Sequence, residues 1–177
     1  ARKLRNIVHF ASKTGMDIDG LGYKVIEQLI DKGFLNSIED IYYLKKEDIG
    51  SLKKNGDKFA SNLINAINES KNNNLDRLIC ALGIRHVGTK GAKALARHYK
   101  TMDKLMKANY TNLSLVDDIG EITANSISEF FAQEQTMELI QKLKTAGVNM
   151  KNIEEAEFDD RFQGMTFVLT GTLQKYT

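Results

Sequence analysis

The chain has 177 residues, 42% of them hydrophobic and 27% charged, the balance of an ordinary globular protein with room for one domain or two small ones. Its one cysteine, Cys80, excludes an intrachain disulfide, and no apolar run approaches the ~18 residues that would cross a bilayer. The net charge of +2 is uneven: residues 153–177 set Glu154, Glu155, Glu157, Asp159 and Asp160 against Arg161 and Lys175, leaving a body of net +5 that suits a polyanionic partner.

Proline is absent, so nothing removes a backbone donor from a helix interior, and the reading is all-α. Residues 1–13 form a leading helix. Its opening, Ala1-Arg2-Lys3-Leu4-Arg5, runs into His9, Ser12 and Lys13, which is unlike a signal peptide. The chain lacks an initiator methionine and is expected to be a piece of a longer protein. A single thiol suits a reducing cytoplasm, and Cys80, between Ile79 and Ala81, reads as a core residue.

A recurrence then dominates the chain. Four segments place a glycine before an amphipathic helix: Ile18-Asp19-Gly20-Leu21-Gly22, Leu52-Lys53-Lys54-Asn55-Gly56, Ile84-Arg85-His86-Val87-Gly88 and Val116-Asp117-Asp118-Ile119-Gly120. The final glycines are separated by 34, 32 and 32 residues. One helical face follows each: Val25, Ile26, Leu29 and Ile30; then Phe59, Ala60, Leu63, Ile64 and Ile67; then Ala92, Leu95, Ala96 and Tyr99; then Ala124, Ile127 and Phe131. Apolar residues also precede the turns: Ile38, Ile41, Leu44, Ile49 and Leu52, then Leu78, Ile79 and Leu82, then Leu105, Leu113 and Leu115. Gly33 ends a helix and Asn36-Ser37 caps the next. Ser70-Lys71-Asn72-Asn73-Asn74 is a polar break, Thr101 caps a helix near Met102, and Gly147 closes a last helix holding Met137, Ile140 and Leu143. The unit is helix, glycine turn, helix. It is used in two pairs, 14–75 and 76–152, followed by an acidic linker at 153–163 and a short β segment at 164–177.

Such a turn is an anion site. Glycine lets the backbone approach a ligand, and the first amides of the following helix lack intrahelical partners. With the positive end of the helix dipole they suit phosphate, whose recognition carries no base sequence. Lys24, Lys58 and Lys90 each stand two positions after a turn glycine, Lys93 a turn further on, and Arg85 and His86 within the third turn. The candidate DNA-binding set is Gly20, Leu21, Gly22, Lys24, Asn55, Gly56, Lys58, Arg85, His86, Val87, Gly88, Lys90, Lys93, Ile119 and Gly120. Turn four carries Asp117, Asp118, Glu121 and Ile122 and is expected to contribute least electrostatically. Asp17 and Asp19 read as capping or solvated, His9 and His98 as structural or surface residues. One cysteine and three scattered histidines give no ligand spacing for a metal, and no catalytic signature is present.

Several of these strings resemble the bacterial NAD-dependent DNA ligases. They are His9-Phe10-Ala11-Ser12-Lys13 with Met16 to Gly22, Ala81 to Gly88, Ser126-Ile127 with Phe130-Phe131, and Ala146-Gly147-Val148. Gly164 to Leu173 is similar to the first strand of the family's BRCT domain, cut short at Thr177. The resemblance covers essentially the whole chain. It implies a parent that joins 3′-hydroxyl and 5′-phosphate ends at nicks, with NAD, Mg and Zn as cofactors held elsewhere. The adenylation domain, oligonucleotide-binding barrel and zinc finger would precede Ala1 and act as partners in the same protein. The implied setting is the bacterial nucleoid, the implied partner nicked duplex DNA gripped in the minor groove. No catalytic residue and no bound cofactor carry over to these residues. Lys54 and Asp118 stand where the family has a first turn glycine. The alternatives are the helix–hairpin–helix region of a repair nuclease or recombination protein, which the β segment and Ile-Arg-His-Val-Gly disfavour, and a helical protein-interaction scaffold.

Overall fold

The computed structural model describes residues 2–153, so all but the first residue of the expected linker, and the whole β segment, lie outside the described residues. The described chain is helical: α1 Arg2–Ala11, α2 Tyr23–Asp31, a 3-10 helix Ile38–Tyr43, α3 Lys46–Gly50, α4 Asp57–Ser70, α5 Leu75–Ala81, α6 Thr89–Tyr99, α7 Met102–Met106, α8 Tyr110–Ser114, α9 Glu121–Ala132 and α10 Glu134–Ala146. Among the described residues there is no strand, only an isolated antiparallel bridge between Thr101 and Lys151. The hairpins are α1–α2, α3–α4, α5–α6 and α8–α9, each pair in contact.

The expected helix faces form the core. Ile26 and Leu29 are fully buried on α2, Ala60 and Leu63 on α4, Ala92 and Leu95 on α6, and Ala124 and Ile127 on α9. Boundary signals act as the residue chemistry demands. Ser37 and Asp40 close a capping box, and Thr101 accepts from the Lys104 amide at 3.2 Å. Gly33 and Gly147 end their helices at φ +82 and +98, where a side chain would be strained. Leu115 departs from expectation. It follows the short α8, caps it in a right-handed conformation and stands 77% exposed, so it adds nothing to the core.

The polar break after α4 is a junction between the two pairs. Asn73 donates to the Met16 carbonyl at 2.8 Å, and the Asn149 side chain donates to the Asn73 carbonyl at 3.1 Å. Asn74 accepts from the Ile153 amide at 2.7 Å and donates to Asn152 at 2.7 Å. Arg77 donates to the carbonyls of Lys13 and Gly15, both at 2.8 Å, tying α5 to the loop after α1. Tyr43 reaches the Lys142 carbonyl at 3.0 Å, and Lys144 pairs with Asp103.

Tyr42 is the buried polar pin of the first pair. Its ring meets Phe10 edge-on at 6.1 Å, and its hydroxyl donates to Ser70 Oγ at 2.8 Å, which in turn donates to the Ile67 carbonyl. Burial pushes its pKa up to about 12, partly offset by the Ser70 bond. A tyrosine held protonated in the fold stabilises fully below its unfolded pKa of 10, and that contribution disappears as pH rises through about 12. Alkaline unfolding followed by circular dichroism should therefore show a loss of ~2–3 kcal/mol between these values, by the usual conversion of two pKa units. Tyr42→Phe should flatten that part of the pH profile.

Candidate nucleic-acid interface

Three of the four turns are built alike. The amide of Leu21 donates to the Ile18 carbonyl at 3.2 Å, Val87 to Ile84 at 3.0 Å, and Ile119 to Val116 at 3.1 Å. Each bond closes a four-residue turn whose two end residues are buried and whose two central residues are exposed. The third residue is left-handed in every case: Gly20 at φ +90, His86 at +70 and Asp118 at +71. The apolar ends anchor the turn in the core, so the centre must face outward. Leu21, Val87 and Ile119, included in the expected DNA-binding set, are buried, and their amides are already held by the Ile18, Ile84 and Val116 carbonyls, so these three residues anchor the turn rather than offer donors.

The glycine after each of these turns caps the next helix in an extended conformation, at Gly22, Gly88 and Gly120. None provides a side-chain cap, although serine or asparagine there would supply one. Among the described residues nothing accepts from the amides of Gly22 to Val25, Gly88 to Gly91 or Gly120 to Thr123. A Cβ added at Gly22, Gly88 or Gly120 would meet no atom within 4 Å. Internal packing therefore does not demand glycine at these positions. What glycine provides is a bare, outward backbone.

The second turn differs. Its left-handed residue is Asn55 (φ +59), one position before the cap rather than two. Gly56 is buried, and a Cβ added there would stand 2.5 Å from the Gly50 carbonyl oxygen and 3.1 Å from that of Lys53. Here glycine lets α3 and α4 close on each other. Asn55 and Lys58 are exposed, and the Lys53 ammonium sits 4.0 Å from the Phe59 ring centre.

The expected cations Lys24, Arg85, Lys90 and Lys93 are all exposed beside their turns, with His86. Turns three and four are neighbours: Ile119 Cδ1 lies 3.6 Å from the Cβ position of Gly91, and Lys90 Nζ pairs with Asp118 Oδ1 at 3.5 Å. Between them lies a cleft of about 400 Å³ lined by Lys90, Lys93, Arg97 and His98 on one side and Asp117 and Asp118 on the other. Arg97 is absent from the set expected from sequence, although it continues the helical stripe of Lys90 and Lys93. His9 is structural: its Nε2 donates to the Cys80 carbonyl at 2.9 Å, holding α1 to α5. Burial raises the Cys80 thiol pKa. Among the described residues no group of three or more His, Cys, Asp or Glu side chains could hold a metal.

Two family profiles match these modules. One, described as a helix-hairpin-helix motif, matches residues 77–140, and the other, a SAM-like helix-hairpin-helix tandem, matches residues 16–69. The whole chain is 52% identical to part of a DNA ligase of Thermoanaerobacter pseudethanolicus and 49% identical to part of one from Carboxydothermus hydrogenoformans, covering 27% and 26% of those proteins. It is 44% identical over 171 residues to a DNA ligase of Clostridioides difficile, covering 96% of this chain and 25% of that one. The chain thus spans about a quarter of the length of these curated relatives.

The two kinds of glycine separate by substitution. Gly56→Ala should destabilise the fold by ~1–3 kcal/mol, the usual effect of overpacking a closed contact. Gly88→Ala and Gly120→Ala should stay within about 0.5 kcal/mol of the parent. Denaturant midpoints at constant m-value measure the difference.

Proposed function

From its place in the helix–hairpin–helix segment of the bacterial DNA ligase family, to which this chain belongs, we propose that it clamps duplex DNA at nicks through the sugar–phosphate backbone. The supporting observation is the thrice-repeated bare helix start, where glycine forgoes a cap and leaves outward amides without partners. Gly20 and Gly22 with Lys24, Arg85, His86 and Gly88 with Lys90 and Lys93, and Gly120 each offer donors to a phosphate, while Leu21, Val87 and Ile119 hold the turns in place. The second turn contributes through the side chains of Asn55 and Lys58, since Gly56 is occupied by packing. Contacts of this kind position a duplex without reading its bases, and their proposed placement along the minor groove rests on the resemblance to DNA ligases alone. The parent uses NAD to adenylate a lysine, passes AMP to the 5′-phosphate and seals the nick, with the adenylating lysine, Mg and Zn sites in its other domains. The setting is the bacterial cytoplasm.

The Lys90–Asp118 pair tempers this clamp. Both ends are well exposed, so the pair adds little to stability and can exchange for a phosphate. Asp118 nevertheless places a negative charge beside an intended anion site.

Fluorescence anisotropy with nicked and intact duplex across a salt series tests the proposal. Neutralising on the order of 4–8 phosphates gives a slope of log affinity on log salt of roughly −4 to −7. A slope near zero refutes it. Gly88→Val should weaken binding to unrelated duplexes about equally; a loss limited to one sequence contradicts backbone recognition. Asp118→Asn keeps a residue that tolerates the left-handed backbone and removes the charge. It should tighten binding several-fold at low salt.

A further inference from the structure

A second cleft, of about 470 Å³, opens on the other flank of turn three. One wall is the stripe Arg2, Asn6 and His9 of α1 with Arg5, residues three and four apart that share a helix face. The opposite wall is Leu82, Gly83, Ile84 and Val87, the end of α5 and the two anchors of the third turn. The opposite face of α1, through Ile7, Phe10 and Ala11, is in the core, so the stripe is fixed in direction. His9 holds the two walls together through the Cys80 carbonyl.

Charge distinguishes this cleft. The cleft beside turn four carries Asp117 and Asp118, and the grooves on the other sides of α1 carry Glu39 and Glu138, or Glu27 and Asp31. The α1–turn three cleft has two arginines and no carboxylate in its lining; Arg2 also borders the groove with Glu39 and Glu138, whereas Arg5 does not. Both arginines are exposed, and neither makes an ion pair among the described residues. Two exposed guanidinium groups on one helix face, neither of them ion-paired among the described residues, repel each other. They suit an external anion, and guanidinium matches phosphate in a two-pronged geometry.

We propose that Arg2 and Arg5 form an additional backbone-binding site, which takes the phosphates flanking the one held at Arg85 to Gly88. This rests on the DNA-clamp reading. It extends the contact from the repeated turns to α1, which no repeat pattern marks. Continuity carries the assignment: Ile84 and Val87 are both the anchors of turn three and the wall of this cleft, so a strand lying on the turn passes its mouth.

The test uses the chain with Arg2→Gln and Arg5→Gln together, compared with Lys3→Gln. Lys3 lies on the same helix but does not line this cleft, bordering instead the grooves with Glu39 and Glu138 and with Glu27 and Asp31. Duplex binding is measured by anisotropy across the salt series, with the thermal midpoint as a check on folding. The expected result for the arginine pair is a slope shallower by roughly 1.8, from about 0.9 per lost phosphate contact, and binding weaker by tenfold or more near 0.1 M salt. Lys3→Gln should change affinity less than about twofold with its slope unaltered. A salt-dependent parent whose slope is unmoved by the arginine pair overturns this site and leaves the clamp standing. A logarithmic loss for Lys3→Gln as large as half that of the arginine pair also overturns it, because the effect would then be general charge. A parent without salt dependence sinks the clamp and this site together.

Discussion

The architecture depends on a four-residue turn whose ends are apolar. Ile18 and Leu21, Ile84 and Val87, and Val116 and Ile119 are buried as pairs, and one backbone bond joins each pair. With both ends fixed in the core, the two central residues can only face out, and the chain must turn through a left-handed residue to re-enter a helix. The next residue but one is then an extended glycine at a helix start. Burial of apolar side chains, which is indifferent to DNA, is what aims the unpaired amides.

With the anchors in control, glycine is not essential at the turn's third position. Gly20 takes the left-handed conformation freely, but His86 and Asp118 adopt it at φ +70 and +71. Histidine and aspartate are among the side chains that tolerate that region, and the buried anchors hold them there. The residue thus becomes a place to vary charge: neutral in turn one, a histidine in turn three, a carboxylate in turn four.

Much of this is legible in the sequence because it is local. The helix faces follow a 3.6-residue period, and Gly33, Thr101 and Gly147 act through their own backbone chemistry. The spacing of the glycines locates all four turns but does not distinguish their uses. Gly56 matches Gly22, Gly88 and Gly120 in position, yet it is buried against Gly50, a contact set by how α3 and α4 close. The asparagine junction reads as a break because its partners, Met16, Asn149 and Asn152, are 57 to 78 residues away in sequence. Lys90 and Asp118 are likewise joined only by the packing of two hairpins. Leu115 escapes the pattern because hydrophobicity alone does not say which side of a short helix faces water.

Turn four sets the same backbone among opposing charges. Its amides are as bare as those of turns one and three, and Gly120 is as open. But Glu121 occupies the first turn of α9, where a carboxylate is stabilised by the helix dipole, and Asp117 and Asp118 precede it. The positive end of the helix acts on its own side chains first, and an incoming phosphate must compete with three nearby negative charges. Asp118 also draws Lys90 from the neighbouring helix into an exposed pair. Within one hairpin pair, then, turn three combines cations with bare amides, while turn four keeps the amides and opposes them with acids. On the proposed clamp reading, turn three would then carry more of the electrostatic contact than turn four.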